Sequence, residues 1–431
     1  MKRVISAACI AALSLGAIAA DHVTEASAVK QVFGDGARVT SIQLVYDAEI
    51  DSTSLSPATF ALMGQEITAV NVDGPRVTLT VDPTFKFRGG QQGQGGPQGE
   101  RPQGQGGPQG QGGPQGQGGQ QGQGGPQGER PQGGPQGQGG PQGGRPGGMH
   151  QMPTMLLQQG EVKTLAGATY AASQEPIAIT HERVLVAEDF VSMCYTDEAT
   201  GEVLNYSLFV PKNYNPQVAY PMVVYIPGPS APGTQISAAL TQGNGATAWA
   251  TDEWQAEHPC IVFVPQFASV QSSDGTEAQP NVQLCVTLVD TITSLCNVDR
   301  TRIYAASQSR GCATAMAMMA ARQELFAAAI LADAQADQST ITALSKHNLW
   351  VFASATDGSD EAWKAAGAQV SDQQWLPGDT DETRFEAVKR AIAAGGNVHV
   401  SLVGGDARRN SASRIAFSIP ALKEWLFDQH R

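Results

Sequence analysis

The chain has 431 residues, with 40 acidic against 27 basic side chains and a formal net charge of −13. That balance, with no basic run anywhere, argues against a nucleic-acid partner, because a polyanion would be repelled. The length and a 41% hydrophobic fraction allow two domains with a sizeable core.

Residues 1–20 read as a secretory signal peptide. Lys2 and Arg3 precede a short apolar run, Val4 to Leu15, and Ala17-Ile18-Ala19 fits a small-x-small cleavage site. The run ends too soon for a membrane-spanning helix, and no later segment is long and apolar enough to be one. The expected location is therefore periplasmic or secreted. Five cysteines remain after cleavage: Cys194, Cys260, Cys285, Cys296 and Cys312. Their spacing matches no zinc pattern, so neither metal nor cofactor is expected. An oxidising compartment permits disulfides. Cys260 opens a strand-like run and Cys296 closes a helix-like one, which makes them the first candidates for a bridge. Isolated buried thiols are the alternative.

Residues 21–181 read as a small all-β domain. Val39 to Tyr46 is rich in β-branched residues, and Arg76 to Val81 alternates with period two. Strand-like sequence resumes near Val162 and at Ile177 to Val186. A low-complexity insert, 89–148, interrupts the domain with repeated Gly-Gly-Pro-Gln-Gly units. It has almost no apolar side chains to offset the entropy of ordering, so a disordered loop or linker is expected. Glycine falls at every third position from Gly104 to Arg130, as collagen requires. Many triplets with two glycines and the lost phase at Pro131 weigh against a triple helix.

From about residue 182 to 431 strands and helices alternate. Strand-like runs are Leu204 to Val210, Met222 to Ile226, Cys260 to Val264, Arg302 to Ala305, Ala327 to Leu331, Leu349 to Ala353 and His399 to Val403. Helical runs are Val282 to Cys296, Gly311 to Gln323, Phe385 to Ala394 and Ser413 to Phe427. This pattern predicts an α/β fold, a mostly parallel sheet with helices on both faces.

Arg302 to Gly311, Arg-Ile-Tyr-Ala-Ala-Ser-Gln-Ser-Arg-Gly, runs from strand through a sharp turn into a helix. That is the setting of a nucleophile elbow, with Ser309 at its apex. The residues two before and two after must be small, because strand and helix backbones pass close there. Ser307 and Gly311 are small.

With these stretches in view, the chain resembles secreted esterases and predicted peptidases that carry an Ig-like N-terminal domain before an α/β-hydrolase domain, relatives of polyhydroxybutyrate-depolymerase-type esterases. The resemblance lies in Leu204 to Tyr214, Tyr220 to Ile226, Trp249 to Cys260, the elbow, and Glu424 to Phe427. It implies an α/β-hydrolase fold and, for intact members, hydrolysis of small-molecule or polymer-linked carboxylic esters by a Ser-Asp-His triad. Ser309 falls on the nucleophile and Asp357 on the acid, with Asp360 and Asp333 as weaker candidates.

Two departures stand out. The family's histidine lies between the last strand and the terminal helix, but Gly404 to Ser411 contains none, and Arg409 stands near its place. Arginine does not deprotonate in proteins. Of the seven histidines, none is placed as a natural base. In the oxyanion loop, intact relatives have His-Gly, a small residue and Gly; this chain has Pro227-Gly228-Pro229-Ser230. Proline has no N–H to donate, so a donor lost at Pro229 costs about 3 kcal/mol of transition-state stabilisation. Gly228 and the Arg310 N–H remain on the oxyanion side. Three readings stand: an active esterase with an unusual base, a catalytically degenerate relative that still binds ligand, and a surface scaffold using the insert.

Overall fold

A computed structural model describes residues 22–84, 154–198, 200–228, 238–267, 279–355, 358–376, 378–404 and 412–431. The expected signal peptide and the insert at 89–148 lie outside the described residues.

The N-terminal strands are β1 (Val23–Phe33), β2 (Gly36–Tyr46), β3 (Phe60–Leu62), β4 (Ile67–Asp73), β5 (Arg76–Val81), β6 (Leu156–Gln158), β7 (Val162–Lys163), β8 (Thr169–Tyr170) and β9 (His181–Val184). Five form one sheet in the order β4-β5-β2-β1-β9. The alternation read in Arg76 to Val81 sends Val77, Leu79 and Val81 into a core with Ile42 and Leu44. Beyond the insert, β6 pairs antiparallel with β3. The run expected at Ile177 to Val186 narrows to β9, with Ile177 making an isolated bridge to Leu156. A two-residue turn, Gly34-Asp35, joins β1 to β2, where Phe33 pairs with Gly36.

The larger sheet contains β10 (Val191–Thr196), β11 (Val203–Phe209), β12 (Tyr220–Ile226), β13 (Ile261–Gln266), β14 (Val298–Gln308), β15 (Ala328–Ala332), β16 (Asn348–Ser354), β17 (Val370–Trp375) and β18 (Val398–Val403). Its order is β10-β11-β13-β12-β14-β15-β16-β18-β17. β10 and β11 run antiparallel at one edge, and the pairings from β13 to β17 are parallel. The helices are α1 (Ala238–Thr241), α2 (Asp252–Glu257), α3 (Gln279–Leu295), α4 (Gly311–Ala321), α5 (Gln338–Leu344), α6 (Ser359–Ala365), α7 (Asp381–Ala394) and α8 (Pro420–Phe427).

Every residue of β12 is buried, and its side chains alternate between two cores. Met222, Val224 and Ile226 meet residues of α3 to α6. Val223 and Tyr225 meet α1, α2, α7 and α8. Burial on both faces explains why this strand reads as an unbroken apolar run.

Two expectations need correction. The terminal helix does not begin at Ser413: short 3-10 turns at Ala412–Arg414 and Ala416–Ser418 come first, and α8 starts at Pro420. Proline fits the first helical turn but forces the preceding residue out of the helix, and Ile419 is extended, with φ −90 and ψ 110. Cys260 and Cys296 form no bridge; both are free thiols. Cys260 belongs to one core and Cys296 packs on the other, so the sheet separates them. Burial pushes the Cys260 thiol up to about 12.

Candidate active site

Ser309 sits where β14 ends and α4 begins, in left-handed backbone with φ 52. Non-glycine residues rarely adopt that region, and its cost is sustained only where surroundings enforce it. Here they do. The Ser309 N–H donates to the Ala332 carbonyl at 2.7 Å, and the Ser309 carbonyl accepts from Cys312 N at 3.0 Å. The serine is therefore fixed by the neighbouring strand on one side and the new helix on the other, while remaining exposed.

The small residues around it have identifiable jobs. A Cβ on Gly311 would lie 2.4 Å from the Pro227 carbonyl oxygen and 2.5 Å from that of Ile226. The helix start is thus pressed against the end of β12. Ser307 is fully buried and donates to Cys312 Sγ at 3.3 Å, which satisfies its hydroxyl beneath the turn. Buried surroundings raise the Cys312 thiol to about 12, so it acts as packing rather than as a nucleophile.

The same contact brings the expected oxyanion loop alongside. Gly228 follows the end of β12 and packs against the Gln308 side chain, 3.4 Å from a would-be Cβ. Arg310, in helical conformation with φ −59, presents its backbone at the start of α4. A helix N-terminus carries partial positive charge suited to a developing oxyanion. Pro229 lies outside the described residues.

The acid candidates separate. Asp357 lies outside the described residues. Asp360 is in the first turn of α6 and pairs with Lys364 at 3.3 Å, within a network that includes Glu361 and Asp372. Asp333 follows β15 directly beside the elbow, also left-handed with φ 60. Its two carboxylate oxygens accept from Ala412 N at 2.9 Å and Ser413 N at 3.2 Å. It therefore anchors the chain just after residues 405–411, which lie outside the described residues.

The six described histidines are all placed elsewhere. His22 pairs with Asp47 at 2.9 Å and stacks on Tyr170, and His181 belongs to β9 in the N-terminal sheet. His258 precedes β13 and contacts Glu424 at 3.1 Å, while His347 precedes β16 and meets the Gln323 carbonyl at 3.1 Å. Both lie at the starting ends of parallel strands, opposite Ser309. His430 is next to Arg431, whose N–H donates to the Thr301 carbonyl. Thr301 is eight residues before Ser309 on β14, about 26 Å along an extended strand. His399 shares a register row with Ala306, through Ile330 and Trp350. That row is three strands across and three residues back from Ser309, about 14 Å sideways and about 10 Å along. Its ring is buried between Trp350 and Trp425, within 2.5 Å of Ser371 Oγ, and burial pushes its pKa down to about 4.

The family model of the esterase Ig-like N-terminal domain matches residues 25–84. A thermostable esterase of known structure aligns with 95% of this chain and 100% of its own length, with a TM-score of 0.61 and 21% identity. This chain is an α/β-hydrolase fold behind an esterase Ig-like domain. A feruloyl esterase module from Clostridium thermocellum, solved with sinapinate, is 13% identical with a TM-score of 0.37, over 56% of this chain and 88% of that one. Among curated proteins nothing matches. The Ig-like domain and the α/β-hydrolase fold that the resemblance implied are thus both present.

One feature of this fold had no signal in the sequence. The Ig-like hairpin reaches the elbow: a Cβ on Gly243 would lie 3.1 Å from the Gly34 carbonyl oxygen and 3.5 Å from Gln308 Oε1. Gln308 is the residue before Ser309.

Proposed function

We propose that this protein binds carboxylic esters at Ser309 and is catalytically degenerate, keeping the scaffold of acyl transfer without its general base. The observation that supports this reading is the left-handed Ser309 at the strand–helix turn, combined with a 404–411 loop that has no histidine. An elbow presents a hydroxyl, but a hydroxyl attacks an ester only when a neighbour takes its proton. Removing the histidine of an intact triad lowers kcat on the order of 10⁶-fold. The Pro-Gly-Pro loop withdraws a second element by taking away a backbone donor. Asp357 stays assigned to the position of the acid, and residues 1–20 to export.

The test is binding without turnover. Short-chain p-nitrophenyl esters are expected to raise the melting temperature saturably, while hydrolysis stays at the level of the Ser309→Ala variant. Ester turnover that disappears in Ser309→Ala would overturn the degenerate reading. Absence of any ester-dependent stabilisation would overturn the binding reading.

A further inference from the structure

A cavity of about 530 Å³ lies between the β1–β2 hairpin and the hydrolase domain. That volume suits a small molecule. Phe33, Asp35 and Arg38 line it from the hairpin, Arg384 and Phe385 from α7, and Arg414 from the segment before α8. The hairpin is seated firmly, since a Cβ on Gly34 would overlap the Arg414 carbonyl oxygen at 1.7 Å.

No elbow residue lines the cavity, but Asn244 and Gly243 link its wall to the elbow. Ser418 lines the cavity and accepts from Asn244 Nδ2 at 2.8 Å. Gly243, the residue before Asn244, packs against Gly34 and the Gln308 side chain. One residue further is Ser309.

Its charges are unevenly used. Asp35 pairs with Arg38 and stands 3.9 Å from Arg414. Arg384 is only 15% exposed, and its ion-pair partner is Asp381 at 3.1 Å, itself 98% exposed at the rim. Glu382, also at the rim, is exposed. The Arg384 Nε is buried and has no acceptor among the described residues. A guanidinium has five donors and no acceptor, and burying one without partners is costly. Aromatic rings flank these groups, with the Arg38 guanidinium 5.2 Å from the Phe33 ring centre. Planar guanidinium forks match carboxylates bidentately, and the rings suit the apolar body that carries one.

We propose that this cavity is a carboxylate subsite beside Ser309, which receives the free acid group of an ester ligand such as a dicarboxylic half-ester. The inference rests on the ester-binding reading for the ligand's full identity, but the subsite is tested without it. Benzoate and its uncharged counterpart benzamide are the probes, titrated into the full-length protein by calorimetry and thermal shift. Benzoate is expected to bind and benzamide not to. Arg384→Gln is expected to weaken benzoate at least tenfold, and Ser309→Ala to leave it unchanged. Arg414→Gln serves as the second variant if Arg384→Gln does not fold, with the same expected loss. Equal binding of benzoate and benzamide, or benzoate affinity indifferent to both arginines, would overturn the proposal. Because neither probe is an ester, the result stands apart from whether Ser309 binds or cleaves one.

Discussion

Asp333 and Ser309 end adjacent strands side by side, and both hold left-handed backbone, with φ 60 and φ 52. The Ser309 N–H bonds to Ala332, the residue before Asp333, while the Asp333 carboxylate grips two backbone N–H groups beyond the 405–411 loop. The acid next to the serine is therefore spent on holding chain in place. Its substitution is expected to act on stability. Asp333→Ala strands two partly buried donors, and each such loss costs about 1–3 kcal/mol. Urea unfolding should show a drop of about 2–6 kcal/mol for the two together, with Asp333→Asn intermediate. Unchanged stability in both would show that the carboxylate does not anchor this segment.

Gly311 and Gly228 make a matched pair of tests. A methyl at Gly311 meets backbone carbonyls at 2.4 and 2.5 Å, so strand and helix must part, and Gly311→Ala should cost about 2 kcal/mol or more. A methyl at Gly228 meets the Gln308 side chain at 3.4 Å, which can yield, and Gly228→Ala should cost less than about 1 kcal/mol. Equal effects in denaturant unfolding would contradict the close approach of α4 to β12.

His399 gives the fold a pH signature. Burial against Trp350 and Trp425 lowers its folded pKa from 6.5 to about 4. Between those values the unfolded chain binds more protons than the folded one, so stability rises with pH across the window. Lowering pH from 7 to 4 should therefore remove up to about 3 kcal/mol through this residue. His399→Gln should flatten the slope between pH 4 and 6.5. A variant with the wild-type slope would place the titration elsewhere.

The seat of the hairpin is testable through Gly34. Any side chain there collides with the Arg414 backbone. Gly34→Ala should make the contact between the β1–β2 hairpin and the segment before α8 more sensitive to limited proteolysis, because interfaces that lose close packing open locally. Wild-type resistance would contradict the contact.

The sequence made the centre of the fold legible because residues buried on both sheet faces must be apolar. β12 and β15 stand where unbroken apolar runs placed them. Edge strands are another matter. β10 is mostly exposed, and β17 carries Ser371, Asp372, Gln373 and Gln374. Their pairing is set by the neighbouring strand rather than by their own pattern, so neither was foreseen. The elbow was readable because a tight strand-to-helix turn demands small residues at fixed offsets, and Gly311 meets that demand. The choice between a bridge and free thiols, and the short α8, were not. Which sheet face a cysteine occupies depends on register, and Pro420 cut the helix that periodicity would have continued. The approach of Gly34 to Gln308 joins residues far apart in the chain and leaves no local trace.

The proposed lack of a general base for Ser309 is tested most directly by exposing the folded protein to a fluorophosphonate and weighing it intact. No mass increase is expected over hours at neutral pH, in wild type and Ser309→Ala alike. A single adduct on the wild-type protein, missing from Ser309→Ala, would mean that an activated serine is present and would contradict the proposal.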